Sequence, residues 1–353
     1  MASLINNTVN HHFISQSELR FNSQNPEKKG SKAKIFRFPI LDKENLRLSK
    51  PSKLEIKNVS YNSDLFTLDF LASGNRVNLE KYFKYFEDKY SIEVNNFLEQ
   101  LKKKIESIKN TSDRIDGSEF ESVIKFLVKI KFMNYLRNPY LIRKALNEFS
   151  FCRDFIVHGA GKEFEIILKS ITRSTNKKQH EYLCKLYNVT PMEYLSWIKL
   201  LLLFVYFDDK NNTSFIDGMI DEFFIAKELQ TTVTIYYYTD EATSRPLVPD
   251  TGCIINNMSY FFNVSKNCFV ALEHEPVDSD KTRQIMTQVF QQVNVPFDEE
   301  KFQSLKDLIA GQKRISIYVD DNSLLEAFNK ICIKESMNCV YSSSSEVLGA
   351  DVY

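Results

Sequence analysis

Apolar and polar positions change rhythm twice along the chain, and the changes mark out three regions. From 1 to 75 the rhythm is that of short strands and turns. Residues 34–38 and 54–59 alternate polar and apolar side chains, the period-two pattern of a strand with one buried face. Pro39 has no N–H to give to a ladder, so the first of these strands is expected to end there, at a sheet edge. Residues 23–34 are polar and basic, with Pro26, Gly30, Lys28, Lys29, Lys32 and Lys34, and read as a loop.

From 76 to 230 the period becomes helical. Leu79, Phe83, Phe86 and Tyr90 fall on one helical face behind Asn78 as N-cap. Leu98, Leu101, Ile105 and Ile108 continue the pattern in a second helix. A third, capped by Ser118 or Asp116, buries Ile124, Leu127, Ile130 and Met133 and ends after Arg137, because Pro139 pushes Asn138 out of the helical region. Further helices are predicted near 140–149, 178–187, 190–207 and 218–230, with Pro191 in the first turn of the third of these. From 231 to 340 strands and helices mix. Strands are expected at 232–239, 253–255, 259–264, 269–272 and 315–319, and helices near 279–292 and 298–310 and from Ser323, as cap, to about 333. The polar, serine-rich stretch 341–353 is expected to fray. No Pro/Gly/Ser linker separates the regions. The expectation is therefore one α+β domain over 1–353, its helical middle packed against a mixed sheet formed from N- and C-terminal segments.

Composition narrows the picture. Hydrophobic residues make up 43% and Gly and Pro number nine each, so a sizeable core is available and disorder is excluded as the general state. Lys+Arg and Asp+Glu balance at 46 each, which removes the whole-chain positive field of a nucleic-acid binder. Local basic stretches remain at 28–34, 102–104 and 177–178. The six cysteines form no CxxC pair and read as reduced, buried thiols of a cytoplasmic protein. The most apolar stretch, 197–207, contains Lys199 and is far shorter than the ~20 residues of a membrane span. It reads as a core helix, and no membrane association is expected. Residues 1–7 lack the basic and apolar regions of a secretory signal.

The chemistry-bearing side chains are few. There are five histidines, and His11 and His12 are adjacent. Neighbours on a strand face opposite ways, so at most one of the two is expected to face a site. Gln16 follows His12 by four residues. His274, between Glu273 and Glu275, reads as a solvated histidine. His158, in 157–162, lacks the full glycine pattern of a phosphate loop. The loop 243–252 follows the strongest strand and carries Arg245, a permanently charged fork suited to phosphate or carboxylate. No nucleophile elbow, zinc-helix, dinucleotide or kinase pattern is present, and no motif calls for a cofactor or a metal site, although a divalent metal is compatible with paired histidines.

Several of these residues fall in an order that resembles the bacterial family catalogued as domain of unknown function 4238. Its opening segment, HHYVPQxYLRxF, is similar to 11–21 here, from His11 and His12 through Gln16 to Arg20 and Phe21. An alternating strand follows at 34–38. A further short stretch is matched by Asn58, Val59, Ser60, Leu65, Phe66 and Thr67. A glutamate-bearing helix resembles 79–87, with Glu87. An Arg-Thr-Pro after a long helix resembles Arg137, Asn138 and Pro139. A Thr-Ser-Asp-Asn-Pro after a strand resembles Thr243, Ser244, Arg245 and Pro246, and a late strand resembles 262–266. The resemblance covers roughly 11–330. It departs at Ser15, where proline is usual, and at Arg245, where the loop's aspartate is absent, so that, if that aspartate is catalytic in relatives, this chain is either inactive or uses Asp240 or Asp250 instead. The resemblance implies a soluble bacterial protein encoded in variable or mobile gene neighbourhoods, a context of conflict with phage. It implies no particular activity.

Three readings follow. One is a non-catalytic sensor or interaction component that engages a protein partner. The second is an enzyme, nuclease-like or otherwise acting on a phosphodiester or phosphate, whose site gathers His11, His12, Gln16, Glu87, Arg137 and Arg245. Histidine would transfer the proton, glutamate orient it and arginine stabilise the phosphate charge. The third is a non-catalytic binder of nucleic acid. A closed, satisfied network favours the first and an open cleft with free arginines the second.

Overall fold

The computed structural model describes the chain except residues 1–7, 29–31, 69–76, 108–114, 151–176, 206, 209–212, 257, 293–295 and 297. It opens with β1 (Asn10–His12) and α1 (Gln16–Phe21), followed by β2 (Lys34–Asp42), β3 (Arg47–Leu48), β4 (Ser52–Glu55), β5 (Tyr61–Ser63), β6 (Thr67–Leu68) and β7 (Val77–Asn78). The middle holds α2 (Glu80–Glu87), α3 (Tyr90–Glu106), β8 (Ile115–Asp116), α4 (Glu121–Arg137), α5 (Ile142–Glu148), α6 (Lys177–Leu186), α7 (Pro191–Val205), β9 (Phe207–Asp208), β10 (Thr213–Ser214) and α8 (Phe215–Ile225). The last third runs β11 (Leu229–Tyr237), β12 (Val248–Pro249), β13 (Ile254–Asn256), β14 (Ser259–Ser265), β15 (Cys268–Pro276), α9 (Asp280–Gln292), α10 (Glu299–Ile309), β16 (Lys313–Val319), α11 (Asn322–Glu335), β17 (Cys339–Ser342) and β18 (Asp351–Val352). The class is α+β, with the helical middle packed against sheets from both ends of the chain.

Two six-stranded sheets replace the single expected one. The first has the order β13-β14-β15-β11-β16-β8 and is antiparallel except for β11 against β16. Successive side chains of its strand β11 go to opposite faces of the sheet. Val233 and Ile235 point into the main core with α4 and α7, and Tyr236 and Tyr238 point to the opposite face. There α11 inserts Leu325, Phe328 and Cys332, and the Phe328 ring stacks on Phe269 at 4.0 Å between centroids. The second sheet, β12-β17-β2-β3-β18 with β4 also on β2, is where the two ends of the chain meet.

Three expectations are corrected here. Strand β2 runs through Pro39 to Asp42. Its partner on one side changes from β4, which pairs as far as Arg37, to β3, which begins at Ile40, so the missing N–H falls in the gap between two partners. The alternating stretch 54–59 is half strand and half 3₁₀ turn, with Ile56 buried by the turn. The polar tail does not fray. Strand β17 is buried along its length, β18 pairs in parallel with β3, and the Tyr353 N–H donates to the Leu48 carbonyl at 3.0 Å.

Helix α4 organises the main core. From Ile130 to Arg137 every residue is buried, polar ones included, as expected of a helix that is apolar on all sides. Lys125 and Lys129, on its one wet edge, pair with Asp221 and Asp217 of α8. The anticipated cap is different: Ser118 hydrogen-bonds Asp116, and α4 grows out of a 3₁₀ turn without a side-chain cap. Similarly Asp321, not Ser323, caps α11, accepting from the Ser323 and Leu324 N–H groups. The buried stripe of α3 is Val94, Phe97, Leu101 and Ile105, with Leu98 at its margin, and Ile108 lies outside the described residues. In α7 the run Leu200 to Val205 is buried and Trp197 donates to the Leu136 carbonyl. No helix among the described residues is long and apolar enough to cross a membrane.

The turn before β13 touches α4 closely. Gly252 has φ +83°, and a Cβ there would lie 3.2 Å from Asn134 Cβ. Gly252→Ala is therefore expected to cost roughly 1–2 kcal/mol for the left-handed backbone alone. A urea midpoint equal to that of the wild type would show that this turn relaxes freely.

Candidate functional site

The paired histidines sit on β1, which pairs with β5, and they face opposite ways. His11 is fully buried. Its Nδ1 accepts from the Phe66 N–H at 2.8 Å, its Nε2 donates to the Thr8 carbonyl at 3.1 Å, and its ring stacks on Phe66. Both of its ring nitrogens and one ring face are thus engaged inside the protein. His12 donates from Nδ1 to the Val59 carbonyl at 3.2 Å and accepts at Nε2 from Gln16 at 2.8 Å. Burial lowers its pKa to about 4, against the Val59 hydrogen bond and with help from the nearby Arg137 charge, so the ring is neutral near pH 7. Ser15, at the position of the family's proline, caps α1 by accepting from the Glu18 N–H.

Beneath this turn α4 presents Lys131, Asn134 and Arg137 at successive three-residue steps, one stripe of a helix. Glu18, fully buried on α1, binds Lys131 with one carboxylate oxygen and the Asn134 amide with the other. The Asn134 carbonyl oxygen accepts from Arg137 at 2.8 Å. Arg137 also donates to the Phe13 carbonyl at 3.2 Å and pairs with Glu87 at 2.6 Å, while Phe83 lies 5.2 Å from its guanidinium. Burial pushes the Glu18 carboxyl up against the pull of Lys131. Of the six expected residues, His12 pairs with Gln16 and Arg137 with Glu87, and the Arg137 charge is near enough to act on His12, while Glu18, Lys131 and Asn134, which sequence reasoning missed, extend the Arg137 side of the site.

A cleft of about 450 Å³ opens over this network, lined by Ser17, Glu80, Lys84, Glu87, Asp88 and Ser91 among others. Glu80 lies two turns before Glu87 on the same face of α2. Its Oε1 is buried without a hydrogen-bond partner, and burial raises its pKa to about 8 despite the opposing charge of Arg137. Of the three carboxyl residues in the cleft, Glu80 is therefore largely neutral at pH 7 and Glu87 is ion-paired, and Asp88 lies beside them.

These shifts have opposite consequences for stability. His12 and His274 have folded values of about 4 below an ordinary 6.5, so the unfolded chain binds more protons between those limits. Their contribution is whole above pH 6.5 and is lost as pH falls toward 4. Glu80 has a folded value of about 8 above 4.5, so its contribution is whole below 4.5 and is lost as pH rises through 8. Thermal melts from pH 4 to 9 are expected to fall off on both sides. Glu80→Gln is expected to lift the alkaline side by roughly 1–3 kcal/mol while matching the wild type near pH 5. An unchanged alkaline side would show that the carboxyl is solvated.

The remaining candidates stand elsewhere. Arg245 turns its fork onto the Thr239 and Asp240 carbonyls at 2.9 and 3.2 Å, within its own loop, and does not join the network. Asp240 accepts from Asn267, and Asp250 accepts three backbone N–H groups from Met337, Asn338 and Cys339, so both are engaged in holding loops. His274 is buried, contrary to expectation, because it points between Phe223, Phe224 and Tyr260 and bonds Thr231 Oγ1 at 2.9 Å. His158 and its loop, and Cys152, lie outside the described residues. The other five cysteines are free and buried. Lys102 and Lys104 pair with Glu106 and Glu119. Among the described residues no three His, Cys, Asp or Glu side chains gather as metal ligands would. No family model, curated protein or solved structure matches the chain.

Proposed function

We propose that the protein is a non-catalytic sensor or interaction component, acting, on the strength of the motif resemblance, in bacterial conflict with phage or mobile elements. The observation that carries this reading is the closure of the network: the Arg137 fork is filled by Glu87, Asn134 and the Phe13 carbonyl, and both His12 ring nitrogens are engaged. An enzyme for phosphodiesters needs a cation free to meet the oxyanion. Arg137 is buried and spent, Arg245 is in another loop, and among the described residues of the cleft the one cation, Lys84, stands beside Glu87, Asp88 and the largely neutral Glu80. Buried polar networks of this kind serve to hold one arrangement of the elements they join. The test is hydrolysis of bis(p-nitrophenyl) phosphate, single-stranded DNA and RNA with Mg²⁺ or Mn²⁺. No turnover above buffer is expected, and His12→Ala is expected to lower the melting temperature. Turnover that His12→Ala abolishes while leaving the melt unchanged would replace this reading with the catalytic one.

A further inference from the structure

We infer that a second pocket, between β2, β17 and the end of α6, binds a small planar anion: a single aromatic ring bearing a carboxylate or phosphate. The pocket has a volume of about 240 Å³, below the ~300–1,000 Å³ of sites for drug-sized ligands, so one ring and a head group fill it. This proposal is independent of the reading of the Glu87 cleft, since it concerns different residues and is measured as binding, not turnover.

The lining carries one charge of each sign, and their partners differ. Arg37, on β2 opposite Tyr341 of β17, is the one cationic side chain among the described lining residues, and Asp250 the one carboxylate. The Asp250 oxygens accept backbone N–H groups from Met337, Asn338 and Cys339 at 2.7, 2.7 and 3.0 Å. Arg37 has no carboxylate partner among the described residues. Its guanidinium lies against the Cys339 thiol, with the Tyr341 and Tyr140 phenols nearby. An arginine half-sheltered in a pocket, beside a thiol and two phenols, keeps donors of its five-N–H fork for hydrogen bonds to an oxyanion.

The walls select a ring. Tyr140 and Tyr187 meet edge to face at 5.2 Å, and Tyr61, 39% exposed, stands at the mouth. Neutral donors and acceptors line the floor, where Ser60 Oγ donates to the Tyr341 hydroxyl at 3.3 Å and Asn62 donates to the Tyr187 hydroxyl at 2.9 Å. Several aromatic faces with few fixed polar groups and one strong charge are the composition of a small-molecule site.

Calorimetric titration of the full chain with benzoate, phenyl phosphate and the neutral isostere benzamide tests this. Saturable binding of at least one anion is expected, with benzamide roughly tenfold or more weaker, and the stronger anion tells carboxylate from phosphate. Arg37→Gln is expected to weaken the anion by a similar factor and Arg37→Lys to keep part of it. Tyr61→Ala, at a partly exposed position whose fold is checked by its thermal melt, is expected to weaken it several-fold and covers the case in which Arg37→Gln does not fold. Absence of saturable binding by both anions, benzamide binding as well as they do, or unchanged affinity in Arg37→Gln or Tyr61→Ala would each overturn the proposal.

Discussion

Replacing Glu18 by alanine is expected to lower stability by about 3–5 kcal/mol, the usual cost of removing one member of a buried ion pair. The carboxylate is fully buried, and its two oxygens are the partners of Lys131 and Asn134 on α4. Lys131 is itself 2% exposed and lies over the Phe262 ring, so no water replaces the lost acceptor. The variant leaves an ammonium in the core, not merely a missing contact. Removing the second charge as well, in Glu18→Ala with Lys131→Met, is expected to recover a large part of the loss, because a methionine fills the lysine stem's space without a charge to solvate. The shift in denaturation midpoint of both single variants and the double variant measures this directly. A single-variant cost below about 1 kcal/mol, or strict additivity of the pair, would show that the two charges are not coupled in the folded state.

Arg137→Met is expected to cost about 2–4 kcal/mol. Its three hydrogen-bonding directions serve Glu87, Asn134 and the Phe13 carbonyl, and the last two lie away from solvent. Glu87 keeps a quarter of its side chain exposed and recovers hydration, which is why the expected cost falls below that of Glu18→Ala. A second measurement separates this from general loosening. The Arg137 charge is one of the causes that hold His12 low, so the His12 imidazole is expected to titrate at higher pH in Arg137→Met by NMR. A His12 titration that does not move would mean that the two residues do not sense each other. Arg137→Lys is expected to fall between, since an ammonium restores the charge but not the three-way fork.

Much of the fold was legible because period is a local property. The stripe Leu79, Phe83, Phe86 and Tyr90 is buried as its spacing implies, and so are Ile124, Leu127, Ile130 and Met133. What was not legible depends on distant partners. Nothing in 341–353 announces a buried strand, because the reason for its burial is β2, at the other end of the chain. His274 looked solvated beside two glutamates, yet alternation along β15 turns it inward while Glu273 and Glu275 face out. The site was half visible. Motif order points to His12, Gln16, Glu87 and Arg137, and these form two pairs, His12 with Gln16 and Arg137 with Glu87. Lys131, Asn134 and Glu18 carry no motif, and a lone lysine or glutamate on a helix ordinarily marks its wet face. The clue was present in α4 itself: Phe126, Leu127, Val128, Ile130, Phe132, Met133 and Leu136 leave it no wet face at that end, so polar residues there must be answered from inside the protein.

The second sheet also sets a clock. Pro39 of β2 lies opposite Cys339 of β17, so a strand made early has to wait for a partner about 300 residues later. At a synthesis rate of roughly 5–20 residues per second that interval is on the order of 15–60 s. During it β2 has only β3 and β4 beside it, and the row of backbone groups meant for β17 stays open. Phe36, Phe38 and Ile40 on this strand are then available to other chains, and their protection arrives last of all. Yield in the cell should therefore respond to chaperones and to translation speed more sharply than the stability of the finished protein would indicate.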